Sequence, residues 1–248
     1  MTFEEILSKL PAPYYRDEQS DIAIFHADCR ELLPLIPDKV VDLVLTDPPY
    51  SLAHVDGGGF ASACTFYREG ALEGLTDFHL QEYRLLLRKV SEQIIAFHSR
   101  DQIRDYADFC LQDYGHYDLH VWHKVNAIPF THNTWKSDIE YIALGWAAKN
   151  HVPIEQHLKS KVWRSGIETG SYHPAQKPTG LIDKYIRVLG AQLILDPFLG
   201  SGTTAVCAKK LGRKCIGIEI EEKYCEIAAK RLSQSVMRLE VEHENKPD

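Results

Sequence analysis

The sequence predicts an α/β protein built on a doubly wound, mostly parallel sheet. Three stretches predict it. Val40-Val41-Asp42-Leu43-Val44-Leu45-Thr46 is apolar and β-branched, and it ends in Asp47-Pro48-Pro49-Tyr50. Leu193-Ile194-Leu195 ends in Asp196-Pro197 and passes through Gly200-Ser201-Gly202 into a helix-forming stretch, 203–211, closed by Gly212. Residues 214–218 form a third run, ending in Glu219. Short apolar runs that alternate with helix-length stretches mark parallel strands covered on both faces. Ligands of such sheets bind at the carboxyl edge. Each run therefore carries an acid to the edge where a ligand would sit.

The remaining elements follow along the chain. Ile22-Ala23-Ile24-Phe25-His26 reads as a strand, and Asp28 suits the N-cap of a short helix at 30–35. A helix at 78–90 leads into a strand at 91–98. Further strands fall at 118–124 and 137–142, and the last helix spans 221–234 before a charged tail, 236–248. One puzzle remains. After Glu219 the nucleoside-binding half of the sheet lacks its third strand. The strand at 22–26 can supply it, if the chain is circularly permuted relative to the usual nucleoside-binding order. The whole of 1–248 then forms one domain.

The chemistry sits in two turns. Two prolines fix φ twice after Asp47 and stiffen the turn. A carboxylate followed by the Tyr50 ring suits a flat, amino-bearing substrate. The glycine loop admits close backbone approach, and Glu219 can accept hydrogen bonds from ribose hydroxyls. Gly200-x-Gly202-x-x-Ala205, with Glu219 seventeen residues after Gly202, also satisfies a loose dinucleotide fingerprint. An NAD-binding oxidoreductase is thus an alternative of a different class. A phosphate-binding P-loop is excluded, because no Gly-Lys-Ser/Thr follows the glycines.

Asp-Pro-Phe-Leu-Gly-Ser-Gly-Thr-Thr together with Asp-Pro-Pro-Tyr resembles the amino-methyltransferases of DNA. The catalytic tetrapeptide precedes the cofactor loop, as in their β group. Trp122-His123-Lys124-Val125-Asn126 with Pro129 resembles a Trp-x-Lys-x-Asn…Pro segment of these enzymes. Glu140-Tyr141-Ile142 resembles their His-Glu-Tyr-Ile strand, with Ile139 in place of the His. His173-Pro174-Ala175-Gln176-Lys177-Pro178 resembles the segment before their cofactor strand. The resemblance covers roughly residues 20–235. It implies a circularly permuted fold of the S-adenosylmethionine methyltransferase type. It also implies catalysis by Asp47, Pro48, Pro49 and Tyr50. S-adenosylmethionine would be held by Asp28 (near the adenine amino group), Lys177 (at the methionine end), Asp196, Phe198, Gly200, Ser201, Gly202, Thr203 and Glu219. The expected reaction is methylation of adenine N6 in double-stranded DNA, with the target base flipped out. Members acting on cytosine N4 more often carry Ser-Pro-Pro-Tyr, so Asp47 favours adenine, and cytosine N4 is the alternative. The resemblance is compatible with a homodimer and with a restriction endonuclease counterpart.

Composition sets bounds. With 248 residues and 44% hydrophobic content, the chain can bury a sizeable core. It has no run of 18 apolar residues to span a membrane, and its acidic opening, Met1-Thr2-Phe3-Glu4-Glu5, does not read as a signal peptide. The six cysteines contain no Cys-x-x-Cys pair, which predicts reduced thiols and a cytoplasmic protein. The formal charge of −7 opposes a tight, non-specific grip on phosphates. Residues 156–177 nevertheless carry four bases (Lys159, Lys161, Arg164, Lys177) against one acid, Glu168.

That basic stretch overlaps the segment, 149–172, where the β group carries its target recognition. Lys159, Lys161, Trp163 and Arg164 are the candidate DNA contacts there, by stacking and by phosphate or guanine contact. The stretch 51–76, with Gly57-Gly58-Gly59, is a candidate mobile loop over the substrate. His116, His120 and His123 invite a metal reading, but strand alternation puts His120 and His123 on opposite faces. No metal is expected. Cys64 is a weak candidate nucleophile, since the Pro-Cys turn of carbon-5 cytosine methylation is absent.

Overall fold

The computed structural model describes residues 1–49, 80–127, 138–147, 156–167 and 176–244. Among these, nine strands form one sheet: β1 (Tyr15–Asp17), β2 (Ile22–His26), β3 (Leu43–Thr46), β4 (Gln93–His98), β5 (His116–Lys124), β6 (Ile139–Trp146), β7 (Val162–Ser165), β8 (Leu193–Asp196) and β9 (Lys214–Glu219). Their order is β1-β2-β9-β8-β3-β4-β6-β5-β7. From β2 to β4 every pairing is parallel. β6 runs antiparallel to both β4 and β5.

This order realises the expected permutation. β2 lies against β9 in register, with His26 opposite Glu219, so the first half of the chain completes the sheet that the last half begins. The central strands alternate between two cores, one on each face. Ala23, Phe25, Val44, Ile94 and Ala96 join one; Ile22, Ile24, Leu43, Leu45, Ile95 and Phe97 join the other. Burial on both faces is why these strands read as unbroken apolar runs. Each fully buried large side chain contributes about 1.5–3 kcal/mol. Asp42 sets the stagger of the two central strands: its Oδ2 accepts from the N–H groups of Gln192 (2.9 Å) and Leu193 (2.8 Å).

Several boundaries differ from those expected. The helix foreseen at 30–35 is one α-turn, Cys29–Leu32, and a tighter turn, Leu33–Leu35, that contains Pro34. The final helix runs Glu222–Glu244, ten residues past the expected end, so most of the charged tail is helical. No glycine or proline interrupts it before Pro247. β7 was not foreseen. It is a short edge strand in the candidate recognition segment and pairs parallel with β5. No helix among the described residues is long and apolar enough to cross a membrane. Cys29, Cys110, Cys207, Cys215 and Cys225 are buried free thiols, while Cys64 and the stretch 51–76 lie outside the described residues.

Candidate active site

β8 and β3 are neighbours, and the chain leaves them in opposite directions across the sheet. Their carboxyl ends form the switch point where open sheets bind ligands. Asp196 ends β8, Asp47 follows β3, Glu219 ends β9 and Asp28 follows β2. The sheet thus brings four sequence-distant carboxylates to one edge.

On the β8–β9 side the polypeptide backbone does most of the work. The turn after Asp196 folds back on it. Asp196 Oδ1 accepts from Phe198 N–H (3.1 Å) and Oδ2 from the Thr204 hydroxyl (2.6 Å). Burial pushes the Asp196 carboxyl up to about 7, and nearby Asp47 and Glu219 push the same way. Gly200 and Gly202 both have positive φ, 53° and 83°. A Cβ on Gly202 would come within 2.6 Å of Ala228 Cβ, so the loop lies tightly on the final helix. Arg231 of that helix donates to the Ser201 carbonyl (2.6 Å) and to the Thr203 hydroxyl (3.2 Å). Glu219 Oε2 accepts from Gly200 N–H (2.7 Å) and Oε1 from Glu221 N–H (2.9 Å). Burial raises the Glu219 carboxyl above its ordinary range, although these N–H groups pull it back. Asp28 caps its helix through Arg30 N–H (2.8 Å) and pairs with the Arg30 guanidinium (2.6 Å), which holds its carboxyl below the usual range. The Phe198 and Tyr83 rings meet at 5.6 Å.

On the β3 side the work is done by charge. Lys177 is buried and reaches the Asp47 carboxylate through an ion pair with Oδ2. The same ammonium lies 2.8 Å from Glu140 Oε1, and Glu140 Oε2 lies 2.7 Å from Lys124 Nζ. Beneath it the Phe97 ring centroid is 5.1 Å away. Burial alone would lower the Lys177 pKa, but Asp47 and Glu140 outweigh it and hold the group charged. Burial likewise would raise Glu140, yet Lys177 and Lys124 hold it well below the usual carboxylate range.

Lys177, expected at the methionine end of the cofactor, stands with Asp47 beyond the end of β3. Lys124 and Glu140 were not foreseen as site residues. Their signals were their places in the Trp-x-Lys-x-Asn and His-Glu-Tyr-Ile patterns and charge inside strand-like stretches, which burial makes costly unless it is paired. Other segments of the expected family pattern find partners too. Trp122 Nε1 donates to Ser165 Oγ (3.0 Å), and Asn126 accepts from Ile167 N–H (2.7 Å) and donates to its carbonyl (3.2 Å). Ile139, where the pattern has His, is exposed at a strand end. Pro48 is buried and Pro49 half-buried; Tyr50, Pro129 and His173 to Ala175 lie outside the described residues.

The expected DNA contacts separate. Lys159 and Arg164 are exposed. Lys161 is exposed but pairs with Asp118 at 2.7 Å. Trp163 alternates to the inner face of β7: a Cβ on Gly180 would meet its ring at 3.1 Å, and the Lys184 ammonium lies 5.9 Å from it. The ring is committed to packing. With Lys177 buried as well, the basic stretch is weaker at the surface than its composition suggests. Along β5, His120 Nδ1 lies 3.1 Å from the Tyr185 hydroxyl, His123 lies beside Asp138, and His116 stacks on Trp146. Among the described residues no three metal-type ligands converge.

A sheet in this order, with a glycine loop and an acid-tipped strand at its switch point, is the fold of S-adenosylmethionine-dependent methyltransferases. A family model for DNA methylases of the N6/N4 type matches residues 41–230. The type II methyltransferase M2.LlaDCHI of Lactococcus lactis is 31% identical over 90% of this chain and 92% of its own length. M.HinfI of Haemophilus influenzae is 28% identical over 85% of this chain and 68% of its own. The crystal structure of the M1.HpyAVI–SAM complex superposes with a TM-score of 0.61 at 30% identity, covering 85% of this chain and 99% of that one. The cytosine-N4-specific PvuII methyltransferase shares the fold at 16% identity, with a TM-score of 0.68 over 89% and 88% of the two chains. The chain belongs to the DNA amino-methyltransferase family. That membership stands against the oxidoreductase alternative.

Proposed function

We propose that this protein methylates the N6 amino group of adenine in DNA, using S-adenosylmethionine. The observation that carries the reading is Asp47, a carboxylate fixed at the switch point beside the glycine loop. An exocyclic amine is a poor nucleophile, because its lone pair is delocalised into the ring. Asp47 and the Pro48 carbonyl each accept a hydrogen bond from the amine. Two acceptors draw the nitrogen towards tetrahedral geometry and free the lone pair. Catalysis is then positioning and electrostatics.

The donor set fits the cofactor. Glu219 stands where ribose hydroxyls donate, Gly200 and Gly202 admit close approach, and Ile220 offers an exposed apolar side chain beside Glu219. Asp28, Asp196, Phe198, Ser201 and Thr203 shape the same edge. When bound, S-adenosylmethionine supplies a sulfonium methyl already activated for displacement. With its lone pair freed by Asp47 and Pro48, the amine nitrogen would take that methyl in line, and the carbon–sulfur electron pair would leave with sulfur. The nitrogen's surplus proton passes along the hydrogen bond to Asp47 and on to water. Tyr50 stacks on the flipped base, returning about 1–3 kcal/mol of the unstacking cost. Lys159 and Arg164 contact DNA phosphates, with Lys161 at the edge of that patch. By likeness to type II methyltransferases, a restriction endonuclease counterpart belongs to this reading.

Mass spectrometry of nucleosides from DNA treated with protein and labelled cofactor tests it. N6-methyldeoxyadenosine is expected. N4-methyldeoxycytidine as the sole product overturns the base assignment, and no labelled nucleoside overturns the reaction.

A further inference from the structure

The ion chain Lys124–Glu140–Lys177–Asp47 joins four segments that are far apart in sequence, and nothing in the amine chemistry above uses its first three members. We propose that Lys177 is a positioning residue for methyl transfer, locked by Glu140 and Lys124 onto Oδ2 of Asp47 so that this carboxylate stays ionised and fixed in direction between turnovers.

The inference rests on the reading of Asp47 as the acceptor for the amine. A protonated Asp47 would donate where an acceptor is needed, so the acid must shed its proton before each new base arrives. Its surroundings work against that. Asp196 faces it from β8 and opposes a second negative charge, while Tyr106, on the helix Ile103–Phe109, is kept neutral by burial and offers no cation. His98, at the end of β4, is wholly buried between the Tyr106 and Tyr141 rings, beside Glu140. Lys177, just before the helix Thr179–Val188, sets a cation on Asp47. A lone ammonium on a flexible stem could swing away. Glu140 (β6) grips it at 2.8 Å, and Lys124 (β5) balances Glu140 at 2.7 Å, so the four charges sum to zero around a buried ammonium. Buried charges persist when paired in this way and become costly when one partner is removed.

The test compares single-turnover methyl transfer against pH, alongside calorimetric binding of S-adenosylhomocysteine. The rate is followed on whichever base the nucleoside analysis identifies, so a wrong base assignment cannot imitate a failed test. Lys177→Met should move the acid limb of the profile up by about one pH unit or more, because a carboxylate that loses its cation protonates more easily. S-adenosylhomocysteine affinity should stay within about threefold. Lys177→Arg should keep the limb in place. Glu140→Gln should also move it up, by less than Lys177→Met does, because the ammonium is no longer gripped by a second charge and can swing away from Asp47. An unmoved limb in Lys177→Met, or lost affinity for S-adenosylhomocysteine, overturns the proposal in favour of a cofactor role. An unmoved or lowered limb in Glu140→Gln overturns it even if Lys177→Met does not fold.

Discussion

On the β8–β9 side of the switch point, buried acids are met by N–H groups and a hydroxyl; on the β3–β6 side they are met by lysines. Asp196 and Glu140 are buried to a similar degree, at 4% and 9% exposure, yet their carboxyls shift in opposite directions. Dipoles of the neighbouring backbone offset only part of the desolvation at Asp196, whereas two full charges more than offset it at Glu140. The difference suits the two tasks. On the proposed reading, a cofactor can be held by a shaped backbone with acids whose carboxyls burial raises, while an amine needs an acceptor that is charged again when each new base arrives.

The largest expected effect breaks the charged side alone. Asp47→Ala should reduce single-turnover methyl transfer by about a thousandfold or more, in the range seen when one preorganised electrostatic group is removed. Cofactor affinity should be nearly unchanged. A near-normal rate in that variant would falsify the division of labour between the two sides.

A second experiment separates them by pH. The Asp196 carboxyl in the folded protein lies above its ordinary value, at about 7. Its stabilising contribution is therefore complete below about pH 4 and is lost as pH rises through about 7. Asp196→Asn should flatten this part of the stability profile by on the order of 1–4 kcal/mol. Glu140, shifted the other way, loses its contribution only as pH falls below the ordinary carboxylate range. Urea unfolding of wild type and variant between pH 4 and pH 8 gives the comparison, and two profiles of equal slope would remove Asp196 from it.

Glu219→Ala sharpens the backbone side. It removes one charged acceptor for ribose and a tie to Gly200 N–H, so cofactor affinity should fall about 10- to 100-fold. Calorimetry with unchanged affinity would unseat Glu219 from the cofactor site. The smallest effect is expected at β7. Replacing Lys159 and Arg164 together by Ala should make the salt dependence of DNA binding shallower by about one to two units of slope. An unaltered slope would move the phosphate contacts elsewhere.

The backbone side was the more legible in sequence. Strand, acid, glycine loop and helix are contiguous from Leu193 to Lys210, and local turn chemistry announces each of them. Even the permutation could be read, because a missing strand leaves a countable gap. The charged side was half legible. Asp47 was marked by its prolines, but its partners arrive from β5, β6 and the segment before residue 179, and only distance shows that Lys177 pairs with Asp47. β7 was hidden for another reason. A four-residue edge strand with alternate residues in solvent carries little apolar signal, and its pairing with β5 is non-local. Trp163 looked like a stacking platform until that alternation turned it inward.

The pairing of β2 with β9 also has a consequence for how the protein comes into being. Ile22 lies opposite Cys215, so closing this pair ties together residues 193 apart. Closing a loop of that length costs about 4–5 kcal/mol of chain entropy. An early strand must wait, with its edge unsatisfied, until nearly the whole chain has left the ribosome. The β2–β9 edge, where the cofactor is proposed to bind, thus cannot close until β9 is made, and a nascent chain interrupted before residue 214 already carries Asp47 and Lys177 but not Glu219.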